Sequence, residues 1–280
     1  MRKFSSLSAA ALSGILILGS AGCDKLKSRD DINKGIAAFR NAKYSDAVEK
    51  FKEAAALDPT NPNARLYLAT SYMSQWIPGA DSPENLSYAQ MAKDEFMKVL
   101  DKNPKDVTAL ASLASLAYNQ AGSLPPDKKL EKFDEAAKWY KELIEADPKN
   151  KEAYYSLGVI AWAKWYPALM TARANLHMKP EDPGPLKDKK MKDELKDKYA
   201  AMVDEGIANL QKALDIDKEY DDAMAYMNLL IRERADLMDN GDEYKKQVDA
   251  ADGWVQKALD TKKLKASRTP ATGGIVQDAK

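Results

Sequence analysis

Residues Ser28–Asn61 read SRDDINKGIAAFRNAKYSDAVEKFKEAAALDPTN, and the spacing of small and bulky residues in this stretch decides the fold. Gly35 is followed 12 residues later by Ala47, then Phe51, Ala54 and Pro59 at intervals of 4, 3 and 5. Intervals of 3 and 4 place side chains on one face of a helix. Gly35 and Ala47 are small because two antiparallel helices cross closely there, and Phe51 fills the next layer. Pro59 stops the second helix and turns the chain into the next unit.

The scheme recurs. A second unit carries Leu68, Ala69 and Tyr72 on its first helix and Ala92, Phe96, Val99 and Pro104 on its second. A third has Leu110, Leu113, Ala114 and Ala117, then Ala136, Tyr140, Leu143 and Pro148. A fourth opens with Tyr154, Leu157, Gly158 and Ala161 and closes with Gly206, Leu210 and Ala213. A fifth runs from Met224, Met227 and Ile231 to Ala251, Val255 and Ala258. The joints ALDPTNPNA, LDKNPKDVTA and EADPKNKEA echo one another.

This pattern resembles the tetratricopeptide repeat, whose second helix reads A-x3-F…P in a 34-residue period. The resemblance covers about residues 28–260 and implies an all-α fold: a right-handed superhelix, or α-solenoid, of antiparallel helix pairs. About five units with loop insertions are expected, at 28–61, 62–106, 107–150, 151–220 and 221–260. Pro59 to Pro104 is 45 residues and Pro104 to Pro148 is 44, which predicts about ten extra residues in the helix–helix loops of units two and three. A longer insertion, Trp165 to Lys198, contains Pro167, Pro180, Pro183 and Pro185. The joint near Lys218 lacks the closing proline, and the fifth unit reads as a cap. The tail 261–280, with little apolar content, is predicted to be disordered.

The first residues read differently. Arg2 and Lys3 precede an apolar run, Ala9–Leu18, and the small residues Gly19–Gly22 follow. That is the pattern of a secretory signal over residues 1–22, too short for a membrane span. Ser20-Ala21-Gly22-Cys23 resembles the bacterial lipobox, departing from it at Ser20, where an aliphatic residue is usual. The resemblance implies a lipoprotein: lipid on Cys23, a tether over residues 23–27, and a place on the periplasmic face of the inner or outer membrane. Ordinary signal-peptidase cleavage is the alternative.

Composition narrows the function. Basic and acidic side chains are equal at 43 each and interleaved, as in KDKKMKD at Lys187–Asp193, so no field favours nucleic acid. Residues 1–22 hold two basic side chains, leaving 41 against 43 acidic ones after processing. One cysteine and one histidine, His177, exclude a disulfide within the chain and the usual zinc sites. No phosphate loop, His-Glu-x-x-His or Gly-x-Ser-x-Gly motif occurs. We therefore expect neither catalysis nor a cofactor.

In the family the concave groove, lined by the first helix of each pair, grips a protein or peptide. Carried onto this register, the groove positions are Phe39, Arg40, Leu66, Thr70, Met73, Tyr118 and Asn119. Farther on come Tyr155, Val159, Trp162, Tyr166, Arg232 and Glu233. The aromatics from Tyr155 to Tyr166 exceed what an inter-helix core requires, and such side chains dominate interface energetics. Trp162 and Trp165 either face a partner or pack under the insertion. Trp76, in the WIPGAD loop, is either a surface anchor or the closure of its helix pair. Asp239–Glu243 lacks the alternating ligands of a calcium loop and reads as a turn. A membrane-tethered scaffold or adaptor binding a protein or peptide leads; a small-ligand or glycan binder and a self-associating structural protein are the alternatives.

Overall fold

The computed structural model describes residues 9–268, with side chains from residue 22 onward. Ten α-helices and one 3-10 turn make up its regular structure, with no strand among the described residues. The chain divides into two compact units, residues 1–142 and 143–280.

The first unit contains α1 (Ala9–Arg40), α2 (Tyr44–Leu57), α3 (Pro62–Gln75), α4 (Pro83–Leu100), α5 (Val107–Ala121) and most of α6 (Pro126–Ala146). α1 packs on α2, α2 on α3, α3 on α4 and α4 on α5. Tyr118 of α5 meets Phe133 of α6 with ring centroids 5.6 Å apart. The second unit contains α7 (Lys151–Asn175), α8 (Lys189–Ile216), α9 (Asp221–Arg234), the 3-10 turn Ala235–Leu237 and α10 (Gly241–Arg268). Here α7 packs on α8, α8 on α9 and α9 on α10. The architecture is the all-α stack of antiparallel helix pairs that the spacing predicts, in five pairs.

Helices of 14 residues, such as α2, α3 and α9, are marginal alone in water and owe their order to buried faces. Ala47, Ala54, Ala69, Phe96, Leu110, Ala114, Ala136, Leu210, Ala213 and Ala251 are all buried. The nesting residues are small for a measurable reason. A Cβ on Gly35 would come within 2.6 Å of the Phe51 ring, and one on Gly158 within 2.4 Å of Leu210.

The joints share a side-chain hydrogen bond besides the prolines that mark three of them. Asp58, Asn103 and Asp147 each accept a hydrogen bond on the side-chain Oδ1 from the amide two residues on, at 3.2, 3.4 and 3.1 Å. Asp217 does the same with Glu219 at 2.9 Å. The fourth joint, which lacks a proline, therefore makes the same Asx turn as the other three. Asn61, Asp106 and Asn150 then cap the next helices through their side chains.

Several expectations are corrected. The extra residues of units two and three lie only partly in loops: α4 and α6 reach 18 and 21 residues against 14 for α2. The insertion 165–198 is mostly helix, because α7 runs on to Asn175 with Pro167 inside it and α8 begins at Lys189. Only 176–188 is loop. Residues 24–27 belong to α1; Lys and Leu are good helix formers, and the helix they extend is packed on α2. The tail is helical to Arg268, where Arg268 meets Glu219 at 2.7 Å and basic side chains favour a helix C-terminus. Residues 269–280 of the predicted tail, and residues 1–8 of the signal segment, lie outside the described residues.

Gly158→Ala should destabilise the second unit by about 1–3 kcal/mol, since the opposing Leu210 is fully buried and has nowhere to move. Gly253→Ala, whose added methyl meets nothing, should stabilise by up to about 1 kcal/mol. Urea unfolding of the two variants checks the pair.

Candidate functional site

Two surfaces gather the predicted positions, one in each unit. In the first, Phe39 and Arg40 of α1 with Leu66 and Thr70 of α3 line a cavity of about 520 Å³. Ile36, Tyr67 and Thr108 complete its wall, and Phe51 of α2 lies behind them. Phe51 and Tyr67 have ring centroids 5.3 Å apart. Met73, Tyr118 and Asn119 do not join this lining. Tyr118 is half-buried on Phe133, and the exposed Asn119 donates to the Ser115 carbonyl at 2.9 Å.

In the second unit, Tyr155, Trp162 and Tyr166 lie 7 and 4 residues apart on α7, which puts them in one stripe. Trp162 stacks on Tyr166 with centroids 5.1 Å apart and 23° between the planes. Tyr226 of α9 stands edge-on to both Trp162 and Tyr155, at 5.6 and 5.7 Å. Tyr155 then meets Tyr220 at 5.0 Å. The result is a continuous row of five rings across α7 and the start of α9, with Trp162 and Tyr166 half-buried. Tyr220 and Tyr226 are absent from the positions that the repeat register singles out. Tyr226 lies 7 residues before Glu233, on the same helical face, and that spacing was the available signal.

Trp162 Nε1 donates to Glu233 Oε1 at 3.0 Å. The other oxygen, Glu233 Oε2, is buried without a hydrogen-bond partner. Burial pushes the Glu233 carboxyl up to about 7, opposed by the Trp162 bond and reinforced by nearby Asp236. Tyr166, Arg232 and Glu233 line a cavity of about 340 Å³ together with Met170, Arg173, Asp236 and Tyr244. Arg232 is held elsewhere: it bonds Asn228 at 3.2 Å and pairs with Asp252 of α10.

A buried ion pair forms part of the wall of this cavity. Arg173 bonds the Asp236 carboxylate, and its remaining donors reach the carbonyls of Lys179, Pro180 and Asp182 in the loop. The Asp236 carbonyl accepts from the Leu186 amide at 3.0 Å. Burial raises the Asp236 carboxyl even though the Arg173 guanidinium draws it down.

The remaining candidates fall away from these surfaces. Trp165 is fully buried and packs on Tyr199 at 5.5 Å, so of the two tryptophans it is the core residue. Val159 is also buried. Trp76 is buried as well and cannot be a surface anchor; its neighbour Ile77 is 64% exposed instead. Asn85 causes this, holding both the Ile77 amide and carbonyl, at 2.7 and 2.8 Å, and folding the loop over the tryptophan. His177 is exposed with φ 56° at the end of α7. The Asp239–Glu243 turn opens a helix, with the Asn240 side chain accepting from the Glu243 amide at 2.9 Å. No group of potential metal ligands occurs among the described residues. Cys23 is exposed.

Residues 127–164 match a family model described as TPR repeat, and residues 32–75 match one described as tetratricopeptide repeat. The fold is a tetratricopeptide-repeat fold. No curated protein matches the chain. Among solved structures, a "Crystal structure of MamA protein" aligns with TM-score 0.54 at 15% identity, covering 89% of this chain and 98% of its own. A second MamA crystal structure gives 0.53 at 16%, covering 83% and 96%. MamA 41-end from Desulfovibrio magneticus RS-1 gives 0.50 at 17%, covering 85% and 96%. At these identities the likeness is one of fold.

The Glu233 carboxyl binds its proton more tightly in the folded chain than in the unfolded one. Its contribution to stability is therefore complete below about pH 4.5 and is lost as pH rises toward 7. Glu233→Gln should match the parent near pH 5 and be the more stable of the two at pH 8, by up to roughly 3 kcal/mol. Urea midpoints at the two pH values check this.

Proposed function

We propose that the chain is a non-catalytic interaction scaffold of the bacterial cell envelope that binds a protein or peptide along the first helices of its pairs. The observation that carries the binding claim is the row Tyr220–Tyr155–Tyr226–Trp162–Tyr166, whose rings are held by one another and by Glu233; Tyr220 is buried, while the other four are only partly covered. Aromatic anchors of this kind each contribute about 2 kcal/mol or more when a partner desolvates them. The apolar cavity of the first unit, built on α1 and α3, supports the same use of the first helices. A small-ligand reading is favoured by one observation, the cavity lined by Tyr166, Arg232 and Glu233.

Export and anchoring complete the proposal: lipid on Cys23 holds the chain at the periplasmic face of the inner or outer membrane. Support comes from Arg2, Lys3, the apolar run and the small residues before an exposed Cys23. No helix among the described residues is long and apolar enough to cross a membrane.

Affinity purification from detergent-solubilised membranes should return a reproducible protein partner. The Tyr155→Ala/Trp162→Ala double variant should lose capture by at least about tenfold while its far-UV circular dichroism stays helical. Unchanged capture would sink the aromatic row as the binding surface, and loss of helicity would assign these rings to packing. For the anchor, Cys23→Ser should move the protein from the membrane to the soluble fraction, and mass spectrometry of the N-terminal peptide should show an acylated Cys23. An unmodified cysteine overturns the lipoprotein reading.

A further inference from the structure

We infer that the cavity lined by Tyr166, Tyr244 and Glu233 is a binding site for a primary alkylammonium group, taken up by the Glu233 carboxylate between the two phenol rings. This deepens the binding role proposed for the same face and rests on it. The group is the end of a lysine side chain in a partner, or a free small amine with the same chemistry.

Four observations converge. The cavity measures about 340 Å³, within the range of small-molecule sites. Its acidic lining residues Glu181, Asp182, Glu233 and Asp236 outnumber the basic ones, Arg173 and Arg232. Both guanidinium groups are already engaged, Arg173 by Asp236 and three loop carbonyls, Arg232 by Asn228 and Asp252. The excess charge facing the cavity is therefore negative.

Glu233 supplies the acceptor. Oε1 is taken by Trp162 and Oε2 by nothing. A buried carboxylate oxygen without a donor is a costly arrangement that a donor cation relieves. Oε2 is shut off from solvent, but the terminal carboxyl torsion of glutamate is soft, and a turn about it presents that oxygen to the cavity Glu233 lines while lengthening the Trp162 bond to Oε1. Tyr166 and Tyr244 offer aromatic walls of the kind that attract ammonium groups, and Met170 offers an apolar surface for the alkyl stem. Lysine suits the site better than arginine, since one compact charge meets one free oxygen.

Titration calorimetry with the purified chain tests the inference, using n-butylamine against its neutral counterpart 1-butanol, and acetyl-Gly-Lys-Gly-amide against the norleucine peptide. Butylamine or the lysine peptide should bind at least about tenfold more tightly than its neutral match, and Glu233→Gln should abolish that preference while helicity is kept. Binding of butylamine alone identifies a small-amine site, and binding of the peptide identifies a lysine in a partner. Equal binding of amine and alcohol, or an unchanged preference in Glu233→Gln, overturns the inference.

Affinity should also fall by about tenfold from pH 8 to pH 6, as Glu233 takes up its proton, and be flat in the Gln variant. The groups facing Glu233 across the cavity are Arg173 and Tyr166 on α7, Glu181 and Asp182 in the loop, Arg232 and Asp236 beside it, and Tyr244 on α10. Glu233→Gln separates their titration from its own. Amine binding without partner capture would remove the protein-binding reading and leave this site standing. Capture without amine binding would remove this site alone.

Discussion

A methyl group on Gly158 would meet Leu210 at 2.4 Å, and one on Gly206 would meet Ala161 at 2.6 Å. α7 and α8 therefore pass at a separation that no Cβ at these two positions permits. The first unit repeats the constraint with Gly35 against Phe51. Where two helices nest this closely, a small residue on one faces whatever lies opposite on the other, Phe51, Leu210 or Ala161. On α7, Tyr154 and Trp165 are buried in the core, while Tyr155, Trp162 and Tyr166 form the outer stripe, where Tyr155 and Trp162 meet Tyr226 and Trp162 stacks on Tyr166. The small-residue seam fixes the pair, and the half-buried stripe of α7 beside it carries the aromatic face.

A seam near Gly158 cannot hold the far end of a helix that continues to Asn175, roughly 25 Å away at the usual rise per residue. The Arg173–Asp236 pair acts at that end. A buried pair gains little net stability over well-packed apolar residues, because both charges must be desolvated. What it supplies here is geometry. The guanidinium binds three loop carbonyls besides its carboxylate, and the Asp236 backbone takes the Leu186 amide. Loop 176–188 is thereby fastened to the 3-10 turn, and the floor of the Glu233 cavity with it.

The repeat was legible because its signal is local: small, small, aromatic, small at helical intervals. The joints were legible in part. Proline marks three of them, but the Asx turn of Asp58, Asn103, Asp147 and Asp217 is what all four share. Pro167 misled in the opposite direction, suggesting an insertion although tertiary packing carries α7 through it. Trp76 could not be placed because its direction depends on Asn85, nine residues on, and a side-chain clamp of that kind has no periodicity. Tyr166, Arg232 and Glu233 were found as neighbours on a face. That they enclose a cavity depends on loop 176–188 and α10, whose positions the repeat register does not encode.

Packing and binding are alternatives for Trp162 only while its surroundings are unknown. Its indole N–H is bonded to Glu233, its ring is stacked on Tyr166, and Tyr226 stands nearly perpendicular to it, yet it remains half-buried. Together those contacts hold the ring in place in the free protein. A surface aromatic fixed in advance loses little further entropy when a partner covers it, and that loss is one of the main costs of association. The packing is therefore what makes the exposed part of the ring useful. The same bond leaves Glu233 with one oxygen satisfied and one not, so the order imposed on the aromatic row and the unfilled acceptor beside it have a single origin in the Trp162–Glu233 contact.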